Sequence, residues 1–145
     1  MKVLKFGGSS IASPERIRDV VNIILKSAKK DRVIVVVSAF QGVTNQLLAC
    51  AHRAEAGDTS YQQSYEQLAR RHRDAVHSLL GNRKNSPTLK KVDAMLEDLR
   101  EVLHGIYLLR HCPPLTLDLA ASFGERLSAM IIAPFLSRFQ PTEFV

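Results

Sequence analysis

The sequence has no tryptophan and only two cysteines among its 145 residues. Cys50 and Cys112 lie far apart and lack the spacing of metal ligands, so we interpret them as buried or inert thiols. Such thiols are typical of a reducing compartment, and the opening MKVLKFGG lacks the apolar core of a signal peptide. We therefore expect a cytoplasmic protein.

The sequence also lacks the patterns of a membrane, metal or nucleic-acid protein. No apolar run is long enough to cross a bilayer, and the five histidines form no metal-binding motif, so we assign them surface or helix-packing roles. Twenty basic and 14 acidic side chains give a formal charge of +6, which favours anionic ligands. The tightest basic run, residues 70–73, has no alternating aromatic residues, so we interpret it as a solvated helix face and expect no nucleic-acid partner.

The first 38 residues have the pattern of a βαβ unit. A short apolar strand from Val3 to Phe6 precedes Ser13-Pro14, a typical helix start with a serine cap and a proline in the first turn. Residues 33–37, VIVVV, are continuously apolar and β-branched, which predicts an interior strand covered on both faces. The fold class is therefore α/β.

Helices are predicted for most of the remaining chain. Thr44 or Asn45 could begin one helix, and residues 59–111 predict a helical hairpin whose second helix begins at Ser86-Pro87. A last helical region, residues 115–137, is expected to be interrupted near Gly124, and residues 143–145 resemble the opening of a further strand.

The segment KFGGSS, residues 5–10, is the first candidate site. Free backbone N–H groups in a glycine loop before a helix favour an anion such as phosphate. Lys5 stands before the glycines, on the strand, which differs from the P-loop order. Two alternatives stay open: Gly7 and Gly8 could serve only the turn, and Lys5 could simply reach water at the strand end.

Two further segments are candidates for ligand binding. Ser38 and Thr44 follow the second strand, and loops at the carboxyl ends of parallel strands face one crevice, although Thr44 could instead cap a helix. Glu125 stands among small and apolar neighbours, which predicts a partly buried carboxylate that needs a partner. Either a ligand ammonium or an internal arginine would satisfy it.

Together these segments resemble the aspartate kinases. KFGGSS is similar to their KFGGTS opening, VSAFQGVTNQLL at residues 37–48 to their VSAxxGVTNxLL loop, and SFGERLS at residues 122–128 to their SxGExxS segment. Order and spacing agree over essentially the whole chain. VLHGIYLL at residues 102–109 also resembles the kinase region of bifunctional aspartokinase–homoserine dehydrogenases.

The resemblance implies a three-layer α/β/α sandwich of the amino acid kinase, carbamate kinase-like type. It implies transfer of the γ-phosphoryl group of ATP, with Mg²⁺, to the side-chain carboxylate of L-aspartate, the first step of lysine, threonine and methionine biosynthesis. In this family pattern Lys5 is catalytic and binds the ATP phosphates together with Gly7, Gly8 and Ser9.

The same pattern assigns aspartate binding to Ser38, Thr44 and Glu125, with Glu125 near the α-ammonium group. No protein residue is predicted to bind a metal.

The family's nucleotide-binding half and its regulatory ACT domains have no counterpart in residues 1–145. We therefore expect the amino-terminal portion of an amino acid kinase domain, with residues 59–111 as a helical insert, inactive by itself. An uncovered sheet edge would favour a homo-oligomer. Two alternatives stay open. The first is another amino acid kinase, such as a glutamate, uridylate or carbamate kinase, although the GVTN and GER segments argue against it. The second is a non-catalytic aspartate-binding or interaction module.

Overall fold

The chain folds into five α-helices, one short 3₁₀ helix and a two-stranded sheet in a computed structural model, which describes residues 1–83 and 85–145. The elements in chain order are β1 Lys2–Phe6, the 3₁₀ helix Gly8–Ile11, α1 Pro14–Ala28, β2 Val33–Val37, α2 Val43–Glu55, α3 Tyr61–Leu80, α4 Pro87–Leu109 and α5 Pro114–Leu136. The predicted α/β class with a helical hairpin is confirmed.

The amino-terminal βαβ unit forms as predicted. β1 and β2 are parallel, with Lys2 paired to Val33 and Phe6 paired to Val37. Ser13 caps α1 by accepting a hydrogen bond from the Arg16 backbone N–H at 3.3 Å, and a stripe of apolar residues on α1 is buried.

The sheet is covered on one face only, which corrects the prediction for β2. Leu4, Phe6, Val35 and Val37 pack against the core. The opposite face carries Val3, Ile34 and Val36, whose side chains are 63%, 48% and 43% exposed. The reason is that no element of the described chain packs over this second face, so the sandwich is incomplete as expected.

The helical hairpin shares its core with the rest of the chain. α3 packs against α2 and α4, while α4 and α5 pack against each other and both against α2. The predicted cap of α4 is confirmed, because Ser86 accepts a hydrogen bond from the Leu89 N–H at 3.4 Å. Tyr65 on α3 donates to the Leu96 carbonyl on α4 at 2.8 Å and joins the two arms of the hairpin.

Three boundaries differ from the sequence prediction. α5 runs without interruption through Gly124, where a Cβ atom would lie only 2.7 Å from the Ala39 Cβ. This glycine therefore permits close packing rather than ending a helix. α2 begins at Val43, after Gly42 with a φ of +82°, a conformation that glycine adopts readily. Residues 141–145 form no strand.

α5 is long and apolar enough to cross a membrane by length and composition, so the expectation that no segment could is wrong. Half of its most apolar window is nevertheless buried within the protein. The buried residues include Phe123, Leu127 and Ile131, which belong to the core. This is the behaviour of a core helix in a globular domain.

Candidate functional site

The loop after β2, residues 38–42, packs directly against the glycine loop after β1. The Ser38 N–H donates to the Phe6 carbonyl at 3.0 Å, which continues the sheet pairing into the loop. A Cβ atom on Gly8 would lie 2.9 Å from the Ala39 carbonyl oxygen and 3.3 Å from the backbone of Gln41. The second glycine of KFGGSS is therefore required for the close approach of the two loops.

The third motif reaches the same place from α5. Ser128 is fully buried, and its Oγ lies 2.7 Å from the Ser38 carbonyl oxygen and 2.9 Å from that of Glu125. Gly124 on the same helix packs against Ala39. All three sequence motifs thus meet at the carboxyl end of the sheet, where open α/β proteins bind their ligands.

The glycine loop leaves part of its backbone open to a ligand. Gly7 precedes the 3₁₀ helix and has no atom within 4 Å of an added Cβ. The first N–H groups of a helix have no acceptor inside it, so those near Gly8 and Ser9 can receive an anion. Arg16 donates to the Ser9 carbonyl at 3.0 Å and fixes the far side of this loop.

Lys5 lies near the carboxyl end of β1, opposite Val36 in the register. It belongs to the uncovered face of the sheet, because strand alternation separates it from Leu4 and Phe6. Its side chain is exposed, so it reaches solvent in this structure and its phosphate-binding role stays a prediction.

Glu125 is exposed, and the prediction of a partly buried carboxylate is wrong. Gly124 and Ser128 lie on the buried side of α5. Because each residue of a helix is rotated by about 100° from the one before it, Glu125 points away from α2. Glu125 instead lines a groove of about 1,110 Å³ beside β2. Within the described residues Glu125 has no ion-pair partner, and Arg126 stacks on the Phe123 ring at 5.0 Å.

Ser38 lies in the loop after β2 and Thr44 on α2, and their aspartate-binding role stays a prediction. The alternative role of Thr44 as a helix cap is wrong, because Gly42 is the N-cap of α2 and no side chain caps the helix. Thr44 is exposed and lies in the first turn, while Ser38 is half-buried. The Thr44 hydroxyl therefore makes no capping hydrogen bond to the backbone of α2.

Arg71 was missed by the sequence analysis, which placed it on a solvated face. Its guanidinium donates to the Gln41 carbonyl at 2.7 Å and to the Ala12 carbonyl at 3.2 Å. Partial burial lowers the pKa of Arg71 from its usual value, although the group remains charged. Arg73 is also engaged, with Asp93 at 2.7 Å. Arg71 and Arg73 belong to one run of arginines, and the sequence contains no pattern that predicts which of them bonds to a loop and which pairs with an acid.

His72 is fully buried and confirms the predicted packing role of a helical histidine. Its ring stacks on Phe40 at 5.0 Å, and Nδ1 lies 2.8 Å from the Leu68 carbonyl oxygen. Burial lowers the pKa of His72 to about 4, so the imidazole is neutral at pH 7. Nδ1 donates to that carbonyl, and Nε2 has no partner among the described residues.

The cysteines and the other possible metal ligands were the remaining candidate groups. Cys50 is buried, as predicted, and Cys112 is half-buried; burial raises the pKa of both thiols, which favours the protonated, less reactive form. In residues 1–83 and 85–145, no three His, Cys, Asp or Glu side chains could together hold a metal ion.

The amino acid kinase family model matches residues 1–142 of the chain. Aspartokinase 1, chloroplastic, of Arabidopsis thaliana is 36% identical over 142 residues, which cover 93% of this chain and 23% of that protein. The bifunctional aspartokinase/homoserine dehydrogenase 1, chloroplastic, of the same plant is 33% identical over 131 residues, covering 90% and 14%. The chain therefore spans less than a quarter of these two relatives. Both relatives are chloroplastic proteins, which contradicts the predicted cytoplasmic location.

Solved structures agree with the fold. E. coli aspartokinase III in complex with aspartate and ADP, in its R-state, superposes with a TM-score of 0.74 at 26% identity, over 92% of this chain and 28% of that one. The same enzyme with lysine and aspartate, in its T-state, gives a TM-score of 0.80 at 24% identity, over 97% and 29%. The resemblance drawn from the three motifs is confirmed, and the chain belongs to the amino acid kinase family, with aspartokinases among its relatives.

Proposed function

We propose that residues 1–145 are the aspartate-binding, amino-terminal portion of an aspartate kinase. Such an enzyme transfers the γ-phosphoryl group of ATP to the side-chain carboxylate of L-aspartate and forms 4-phospho-L-aspartate. The observation that carries the proposal is the meeting of KFGGSS, SAFQG and SFGERLS around one loop, through Gly8, Ser38 and Ser128.

The phosphate side of the site consists of Lys5, Gly7, Gly8 and Ser9. Phosphoryl transfer depends mainly on positioning and on neutralising the charge of the phosphate oxygens. The Lys5 ammonium and the backbone N–H groups of the glycine loop are suited to this role, because both present positive charge without needing a covalent step. Lys5 is the residue to which we assign stabilisation of the transferring group.

The aspartate side consists of Ser38, Thr44 and Glu125. The exposed Glu125 carboxylate can pair with the α-ammonium of aspartate, and the hydroxyls can donate to its carboxylates. Ser128 supports this side, since it contacts the carbonyl groups of both Ser38 and Glu125.

The nucleotide side remains incomplete in this proposal. ATP phosphoryl transfer requires Mg²⁺, and the family's nucleotide-binding half has no counterpart in residues 1–145. We therefore expect the segment to bind aspartate without catalysing phosphoryl transfer by itself.

Isothermal titration of the chain with L-aspartate tests the proposal. We expect a dissociation constant no weaker than about 1 mM, within the usual range for enzyme substrates. L-Glutamate and D-aspartate should bind at least roughly tenfold more weakly, a difference of about one well-placed hydrogen bond. Glu125→Gln should remove binding, whereas the control Glu66→Gln, an exposed carboxylate on α3, should not.

Three outcomes separate the alternatives. Preference for glutamate would favour another amino acid kinase. Absence of aspartate binding would refute the proposed site. Aspartate binding without phosphoryl transfer in the full-length protein would favour a non-catalytic module.

A further inference from the structure

We infer that Arg71 is a positioning residue that holds the two ligand loops at a fixed separation. The consequence for ligand binding rests on the proposed function, whereas the contact between the loops does not. Arg71 belongs to α3, outside all three motifs, and nothing in its sequence position assigns it to the site.

The two hydrogen bonds of Arg71 reach different loops. One goes to Gln41, three residues after Ser38, and the other to Ala12, three residues after Ser9. The planar guanidinium carries its donors in a rigid fork, so the two carbonyls are held in a defined mutual position. Hydrogen bonds from a charged donor are also stronger than neutral ones.

Among the described residues, Arg71 is the donor on which both carbonyls depend. In the part of the chain that the structure describes, neither the Gln41 nor the Ala12 carbonyl accepts another hydrogen bond from the backbone or from a side chain. Loss of the guanidinium would leave both carbonyls to water and would remove the bridge between the loops.

The aromatic ring of Phe40 strengthens the same connection. The Arg71 guanidinium carbon lies 5.7 Å from the centre of this ring, within the range of a cation–π contact. The adjacent His72 stacks on the ring at 5.0 Å. Two consecutive residues of α3 therefore anchor the loop after β2.

Displacement of one loop would weaken the binding of any ligand that contacts both loops. Errors of about 1 Å in the placement of reacting groups can reduce rates by roughly a hundredfold. For equilibrium binding of aspartate we expect a smaller effect, about a tenfold increase in the dissociation constant for Arg71→Met.

Arg70 provides a matched control. It neighbours Arg71 on α3, has the same charge and lines the same cleft of about 430 Å³, but within the described residues it makes no hydrogen bond to either loop. Arg70→Met therefore changes the net charge and the composition of α3 in the same way as Arg71→Met, but it leaves the hydrogen bonds of Arg71 intact. Arg71→Lys retains the charge but loses the fork.

Amide hydrogen exchange by NMR in the ligand-free chain tests the bridge itself. In Arg71→Met we expect faster exchange at the amides of Ser10, Ser38 and Val43, with unchanged rates in α4 and α5. Arg71→Lys should be intermediate and Arg70→Met unchanged. Equal acceleration throughout the chain, or no acceleration in the loops, would overturn the inference. If Arg71→Met does not fold, the comparison of Arg71→Lys with Arg70→Lys decides by the same criteria.

Titration with L-aspartate tests the consequence for binding. We expect the tenfold loss in Arg71→Met, partial rescue in Arg71→Lys and a change within twofold in Arg70→Met. Faster loop exchange in Arg71→Met together with an unchanged dissociation constant for aspartate would refute the positioning role. If the unmodified chain binds no aspartate, the proposed function fails, and the exchange data alone then support or reject the bridge.

Discussion

Burial of His72 makes the stability of the chain depend on pH. Removal from water is the main reason that the pKa of His72 falls to about 4, and the adjacent Arg71 charge acts in the same direction. The hydrogen bond to Leu68 opposes the fall but does not reverse it. Protonation would also place a second N–H donor, on Nε2, where no partner lies among the described residues.

The size and direction of the effect follow from the two pKa values. An unfolded imidazole takes up its proton near pH 6.5, whereas the folded chain resists protonation until about pH 4. His72 therefore contributes its full stabilisation above pH 6.5 and loses it as the pH falls toward 4. The difference corresponds to roughly 3 kcal/mol in total, of which about 2 kcal/mol is lost by pH 5.

Urea unfolding followed by circular dichroism between pH 7.5 and 5.0 measures this loss. His72→Phe retains a ring beside Phe40 but cannot take up a proton, so its stability should fall by about 2 kcal/mol less than that of the unmodified chain. The ionisable carboxylates are common to both proteins and cancel in this comparison. His104→Phe is the control, because His104 also stacks on an aromatic ring, Tyr107, but is exposed.

Equal pH dependence in His72→Phe and the unmodified chain would refute the reasoning, since it would mean that His72 titrates alike in both states. An NMR titration of the folded protein gives a direct second measurement. A His72 pKa near 6.5 would contradict the role of burial.

Three further predictions concern the motif residues. In a full-length protein with the proposed kinase activity, Lys5→Ala should reduce kcat by roughly 10²–10³, the effect of losing one transition-state donor, and a loss below about threefold would contradict its proposed catalytic role. Glu125→Ala in the same enzyme should weaken aspartate binding far more than ATP binding, and equal effects would be inconsistent with its assignment. Gly124→Ala should lower the free energy of unfolding by about 1–3 kcal/mol in urea titrations, because its Cβ would lie 2.7 Å from that of Ala39. The control Gly105→Ala, with nothing within 4 Å, should be neutral or stabilising by up to about 1 kcal/mol, and the same result at Gly124 would disprove the packing argument.

The sequence by itself determined the features that depend on near neighbours along the chain. The starts of α1 and α4 were predictable from Ser13-Pro14 and Ser86-Pro87, because a cap forms within three residues. The parallel pairing of β1 and β2 followed from the βαβ pattern, and with it the meeting of the first two motif loops.

Only the tertiary structure decided features that depend on distant neighbours. Gly124 suggested a break in the last helix, yet it packs against Ala39, which lies far away in sequence in the loop after β2. Glu125 has apolar neighbours in sequence but is exposed, since burial on a helix depends on rotation around the axis.

Arg71 and the open sheet face show the same limit. Adjacent arginines appear equivalent in a sequence, and only the packing of α3 against the two loops separates the bridging Arg71 from the exposed Arg70. A continuous apolar strand predicts two covered faces, but a cover must come from another element, and the described chain provides one for a single face. Local rules thus determined which helices and strands form, while contacts between residues far apart in sequence decided which side chains are buried, bridged or free to bind a ligand.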